Sequence, residues 1–78
     1  MSVSAYVLIQ TEVGRAEKVA TAARAIPGVL TADNVAGPYD VIVKTEADTL
    51  DDLGQLVASA IQQVDGITRT FTCPIVNL

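Results

Sequence analysis

Residues 26–44 read IPGVLTADNVAGPYDVIVK, and the punctuation of this stretch decides the fold. Pro27 cannot continue a helix and Gly28 accepts a left-handed turn, so any helix arriving here stops at Ile26. Val29 to Val35 alternates, with Val29, Thr31, Asp33 and Val35 on one side and Leu30, Ala32 and Asn34 on the other, the period of a strand. Ala36-Gly37-Pro38-Tyr39 has the chemistry of a turn. Asp40-Val41-Ile42-Val43-Lys44 follows as a second, β-rich apolar run. Two strands joined by so short a link pair as an antiparallel hairpin.

Working outward, the same grammar recurs on both sides. Upstream, Ala5-Tyr6-Val7-Leu8-Ile9-Gln10 is a continuous run of β-formers and reads as a buried strand. Thr11-Glu12-Val13-Gly14 breaks it. Ala16, Val19, Ala20, Ala23 and Ile26 then fall at helical spacing, leaving Arg15, Lys18, Thr21 and Arg24 on the solvated side. Downstream, Thr49-Leu50-Asp51-Asp52 fits a capping box with Thr49 as N-cap and with Asp in place of the commoner Glu. The carboxylates of Asp51 and Asp52 suit the positive end of a helix dipole. Leu50, Leu53, Val57, Ala60, Ile61 and Val64 form an apolar stripe with Leu56 beside it, and Asp65-Gly66 closes the helix. Ile67 to Asn77 alternates again: Thr68, Thr70 and Thr72 share one face, and Ile67, Arg69, Phe71, Cys73 and Ile75 the other. Pro74 lacks an amide hydrogen, which suits an edge, a bulge or a strand end.

The order is β-α-β-β-α-β, and Ile26-Pro27-Gly28-Val29 is echoed by Val64-Asp65-Gly66-Ile67, so the halves read as pseudo-repeats. Each half requires a right-handed crossover. The expected fold is α+β and ferredoxin-like: a four-stranded antiparallel sheet with both helices on one face. All 78 residues then form a single domain. The opposite sheet face is left bare, with the Thr68/Thr70/Thr72 row expected in its lining, and a second copy of the chain is its natural cover, giving a homodimer.

Composition agrees. A chain of 78 residues buries only about 60% of the surface its unfolded form exposes. Half the residues are hydrophobic yet only 4% are aromatic, so Val, Ile, Leu and Ala must fill the core and leave apolar surface for self-association. With one cysteine and no histidine, the chain has no internal disulfide, no Cys- or His-based metal or haem site and no histidine acid–base chemistry. No cofactor is expected. Five basic residues against nine acidic ones give a net charge of −4, which argues against direct nucleic-acid binding. Neither a signal peptide nor a membrane-spanning run is read, so the expected location is cytoplasmic.

Candidate chemistry concentrates at Gly37-Pro38-Tyr39-Asp40. Glycine admits a ligand close to the main chain. Tyr39 offers an aromatic wall and a hydroxyl, and Asp40 a carboxylate able to accept from an ammonium group. An ordinary hairpin turn explains the same residues. The threonine row can bind a polar ligand or simply pack as a β-branched strand face. Asp48, Asp51 and Asp52 are better explained by helix capping than by a hard metal. Cys73, with no histidine to activate it, reads as a buried structural residue. Arg69 either anchors a carboxylate or pairs with an acidic neighbour in an oligomer.

The hairpin Gly37-Pro38-Tyr39-Asp40 with Val41-Ile42-Val43-Lys44, together with Pro27-Gly28-Val29 before it and Gly66-Ile67-Thr68-Arg69-Thr70 after it, resembles the effector-binding (RAM) domain of the leucine-responsive (Lrp)/AsnC family of transcriptional regulators. The resemblance spans essentially the whole chain. It implies a ligand-sensing module and not an enzyme, with homodimers assembling into rings of four or five, an octamer or a decamer. It also implies an amino acid or similar small effector bound between dimers. By the same resemblance, the effector site maps onto Gly37, Tyr39 and Asp40 and onto Thr70, Phe71 and Thr72 of the last strand. One subunit's loop is expected to meet another's last strand. Regulators of the family carry a helix-turn-helix domain that is not read here, which implies a sensing domain working with a DNA-binding paralogue. Two other classes share the topology: a small dimeric α/β-barrel enzyme of the cofactor-free monooxygenase or isomerase type, and an assembly-only scaffold.

Overall fold

The computed structural model describes residues 2–77. Strand β1 (Val3–Thr11) leads to helix α1 (Ala16–Arg24), strands β2 (Val29–Asn34) and β3 (Val41–Ala47), helix α2 (Leu50–Leu56) and strand β4 (Ile67–Pro74). Neighbouring strands are antiparallel in the order β2-β3-β1-β4, the ferredoxin-like arrangement expected from the doubled unit.

The two echoed junctions are equivalent in detail. Gly28 and Gly66 have φ of +96° and +98°, a region closed to most side chains. A Cβ at Gly28 would meet Leu56 Cδ2 at 2.9 Å, and one at Gly66 would meet Arg15 Cβ at 3.1 Å. Each glycine carbonyl then accepts from the amide of a glutamate on or beside a strand, Glu46 to Gly28 at 2.9 Å and Glu12 to Gly66 at 2.8 Å. The repeat is therefore structural as well as textual.

One face of the sheet carries Ala5, Val7 and Ile9 from β1, Val41 and Val43 from β3 and Ala32 from β2. These pack against Val19, Ala20 and Ala23 of α1 and against Val57 and Ile61 beyond α2. Thr45 is buried among them with its hydroxyl donating to the Ala5 carbonyl at 3.3 Å, so its polar group is satisfied. Leu50, assigned to the helical stripe by spacing, is 59% exposed at the helix start.

Past Leu56 the helix widens into a π turn, Val57–Ile61, with the Gln62 amide reaching back to the Val57 carbonyl at 2.8 Å. Buried Leu53, Val57 and Ile61 recur every fourth residue, a step that overshoots an α-helix of about 3.6 residues per turn. The wider π turn offsets that drift and keeps all three on the sheet. The start of α2 is as the sequence predicts, the Thr49 hydroxyl accepting from the Asp52 amide at 3.1 Å. Replacing Thr49 with Ala should cost about 1 kcal/mol, read as a lower urea midpoint at unchanged slope.

Three expectations are corrected. The threonine row does not line the bare face: Thr70 and Thr72 stand opposite Ile9 and Val7, both core residues, so they lie on the helix side. They remain only half-buried or exposed, because β4 is an edge strand at the margin of the helical cover. Alternation shows that the threonines share a face; only register shows which. For the same reason Cys73, opposite Tyr6, is not buried but exposed. Arg24 is not merely solvated, since its Nε donates to the Ala32 carbonyl at 2.9 Å and ties α1 to β2. The uncovered face carries Tyr6, Leu8, Ile42 and Phe71, with Lys44, Arg69 and Cys73 around them. Among the described residues no helix is long and apolar enough to cross a membrane.

Candidate functional site

The β2–β3 hairpin is fastened to the neighbouring strand β1 at several points. The Asp40 amide donates to the Ile9 carbonyl at 2.9 Å, and the Val35 amide to the Asp40 carbonyl at 2.9 Å. Asp40 Oδ2 accepts from the Thr11 amide at 2.8 Å and from its hydroxyl at 3.4 Å. Gln10 Nε2 donates to the Pro38 carbonyl at 3.0 Å. A carboxylate accepting a backbone N–H makes one of the stronger hydrogen bonds available, so one oxygen of Asp40 is committed to holding the hairpin.

That fastening directs Tyr39 across β1 to β4. Its ring meets Phe71 edge-on, centroids 5.8 Å apart and planes at 77°, a favoured aromatic geometry. The Arg69 guanidinium lies over the other ring of this pair, 5.5 Å from the Phe71 centroid. The hairpin thus reaches the last strand of its own chain.

The six residues singled out from the sequence are only partly brought together. Tyr39, Asp40 and Phe71 cluster at the hairpin end of the sheet. Gly37 sits at the tip with open space about its α-carbon. Thr70 is adjacent through its pairing with Ile9 but on the helix-side face, where its hydroxyl accepts from Gln62 Nε2 at 3.0 Å. Thr72 lies two residues further from the hairpin, opposite Val7, and makes the weakest claim. Sequence reading missed Gln10 and Thr11, which hold the hairpin, and Gln62, which holds Thr70. No local pattern marks them, because their partners lie 28, 29 and 8 residues away.

Gln62, Ile67, Thr68, Arg69 and Thr70 border a cleft of about 190 Å³. Small-molecule pockets usually enclose roughly 300–1,000 Å³, so this cleft is below the usual size. Two larger depressions lie elsewhere, about 530 Å³ along α1 beside Lys18 and Thr21 and about 520 Å³ beside Lys44 and Ile75. Neither contains any of the six residues singled out from the sequence, whereas the smaller cleft contains Thr70. We therefore place the candidate site at the hairpin and β4.

Comparison with known proteins agrees with the fold and adds a lineage. The Lrp/AsnC ligand binding domain family matches residues 4–77. An uncharacterised HTH-type transcriptional regulator of Pyrococcus furiosus is 31% identical over 75 residues, covering 92% of this chain and 50% of the relative. The chain spans about half the length of that curated relative and less of a second from Pyrococcus horikoshii. A hypothetical protein of Pyrococcus horikoshii, solved by crystallography, has a TM-score of 0.88 at 37% identity, with 97% of this chain and 92% of that one covered. A transcriptional regulator of Neisseria meningitidis, crystallised as an L-Met complex, shares the fold at 14% identity with a TM-score of 0.84, over 96% of this chain and 50% of that one. Matched by the family's ligand-binding domain along nearly all its length, the chain belongs to the Lrp/AsnC family.

Proposed function

We propose that this domain senses an amino acid or a closely related metabolite and passes the signal to transcription through a DNA-binding paralogue. The observation that carries the reading is the tethered hairpin, which sets Tyr39 against Phe71 of β4 at the sheet margin, while the next residues of β4, Arg69 and Thr70, border a small open cleft. A pocket left incomplete by one chain is finished by another. Homodimers form by pairing of the uncovered sheet faces around Tyr6, Leu8 and Ile42, leaving Arg69 and the Tyr39–Phe71 pair at the hairpin margin; four or five dimers close into a ring, with the effector held where that margin meets a neighbouring dimer. Gly37, Tyr39 and Asp40, with Thr70, Phe71 and Thr72 of β4, form the effector site. The curated relatives are named as regulators, and the Neisseria protein's L-Met complex supplies the kind of ligand to try first.

A thermal melt against the twenty L-amino acids at millimolar concentration tests this. Ligand at a hundred times its dissociation constant adds about 2.7 kcal/mol, worth roughly 10 °C or more in a domain this small. The expected result is a rise for one amino acid or one chemical group of them. No rise with any, and no change in oligomer mass, would remove the reading. Asp40→Ala should abolish the rise while leaving the dimer intact, because it frees Thr11 and unfastens the hairpin. Asp40→Asn keeps an acceptor oxygen and should retain part of the rise.

A further inference from the structure

We propose that Arg69 is the carboxylate-binding residue of the effector site, so that the effector is recognised through a free acid group; this rests on the sensing function proposed above. Among the described residues the Arg69 guanidinium forms no ion pair, the single bridge being Arg15 to Asp65 at 3.9 Å. Asp40, the carboxylate of the candidate site, has its Oδ2 engaged by Thr11. The guanidinium is nevertheless placed, lying over the Phe71 ring that Tyr39 braces edge-on.

This arrangement has a chemical consequence. A guanidinium held over an aromatic ring by a cation–π contact still has its N–H donors to offer and gives up less freedom when it binds. The fork matches a carboxylate in bidentate geometry. In a chain with a net charge of −4, an unpaired arginine at the edge of the candidate site is the group an incoming anion finds. The Phe71 and Tyr39 rings beside it offer an apolar wall for the rest of the ligand. The ligand class is therefore a small monocarboxylate with an apolar or aromatic body, its acid end on Arg69. An acidic side chain of a neighbouring subunit is the competing acceptor, and it makes a different prediction.

The test pairs each stabilising L-amino acid with its primary amide, measured by calorimetry on the wild-type chain and on Arg69→Gln. The wild type should bind the acid roughly tenfold to a hundredfold more tightly than the amide, the range of a charge-assisted hydrogen-bonded contact. Arg69→Gln should lose the same factor for the acid and nothing further for the amide, which marks the two groups as direct partners. Arg69→Lys should recover part of the loss. Equal binding of acid and amide by the wild type, or undiminished binding of the acid by Arg69→Gln, overturns the assignment while leaving the sensing function standing. A smaller oligomer for Arg69→Gln in the absence of ligand also overturns it, because the residue is then an intersubunit ion pair. If no amino acid binds the wild type, the sensing function and the assignment fall together.

Discussion

Replacing Ile61 with Ala should lower the unfolding free energy by about 2–5 kcal/mol, the range for truncating a buried isoleucine. Ile61 is fully buried within the core shared by both helices and the sheet, and it ends the π turn that keeps it there. The core has no large side chain to settle into the gap: its neighbours are Val, Ala and Ile, β-branched or too short to shift. A domain of 78 residues has about 4–12 kcal/mol in all, so the variant should lose at least about a sixth of its urea midpoint at unchanged slope. Leu50→Ala is the control. Both residues lie on one stripe by sequence spacing, yet Leu50 is largely exposed and its truncation should stay within about 0.5 kcal/mol of wild type. Equal losses at the two positions would contradict the packing described for α2 and its π turn.

The second large effect concerns the uncovered face. Leu8 lies there between Ile42 on β3 and Phe71 on β4, two residues from Tyr6 on the same face, and Tyr6 is more than 40% exposed. Under the proposed pairing through this face, Leu8→Lys should raise the dimer dissociation constant by roughly a hundredfold or more, since burying an unpaired ammonium costs several kcal/mol. Two-fold symmetry introduces the charge twice. Light scattering at micromolar protein should then report the mass of one subunit for Leu8→Lys and a multiple of the dimer for the wild type. Thr21→Lys, at an exposed position of α1, should leave the mass unchanged. A wild-type-sized oligomer for Leu8→Lys would mean that the chains associate through another surface.

The architecture was legible because it is written in local signals. The matching glycine stops at Gly28 and Gly66, the turn at Gly37-Pro38 and the Thr49 cap each act within a few residues, and together they dictate six elements in order. What was not legible depended on register. The alternation of β4 separates threonines from Phe71 and Cys73, but which set faces the helices is decided by the pairing of Thr72 with Val7, 65 positions earlier. The irregularity between Gln10 and Thr11 shifts that pairing and leaves no mark in either strand alone. The π turn was equally hidden, as a repeat of four looks like an ordinary helical stripe. At the candidate site, the residue types of the hairpin drew attention, and its fastening by Gln10 and Thr11 did not, because those contacts exist only once β1 lies beside β3. Asp40 accordingly gains a structural duty in the fold that its chemistry alone does not reveal.

Under the proposed function, an effector binds where the hairpin meets β4. Hydrogen–deuterium exchange on the chain, with and without the amino acid that most raises its melting temperature, tests this most directly. Added protection should concentrate in residues 37–40 and 69–72, with little change along α1. Protection centred instead on the depression beside Lys18 and Thr21, or no local change at saturating ligand, would contradict it.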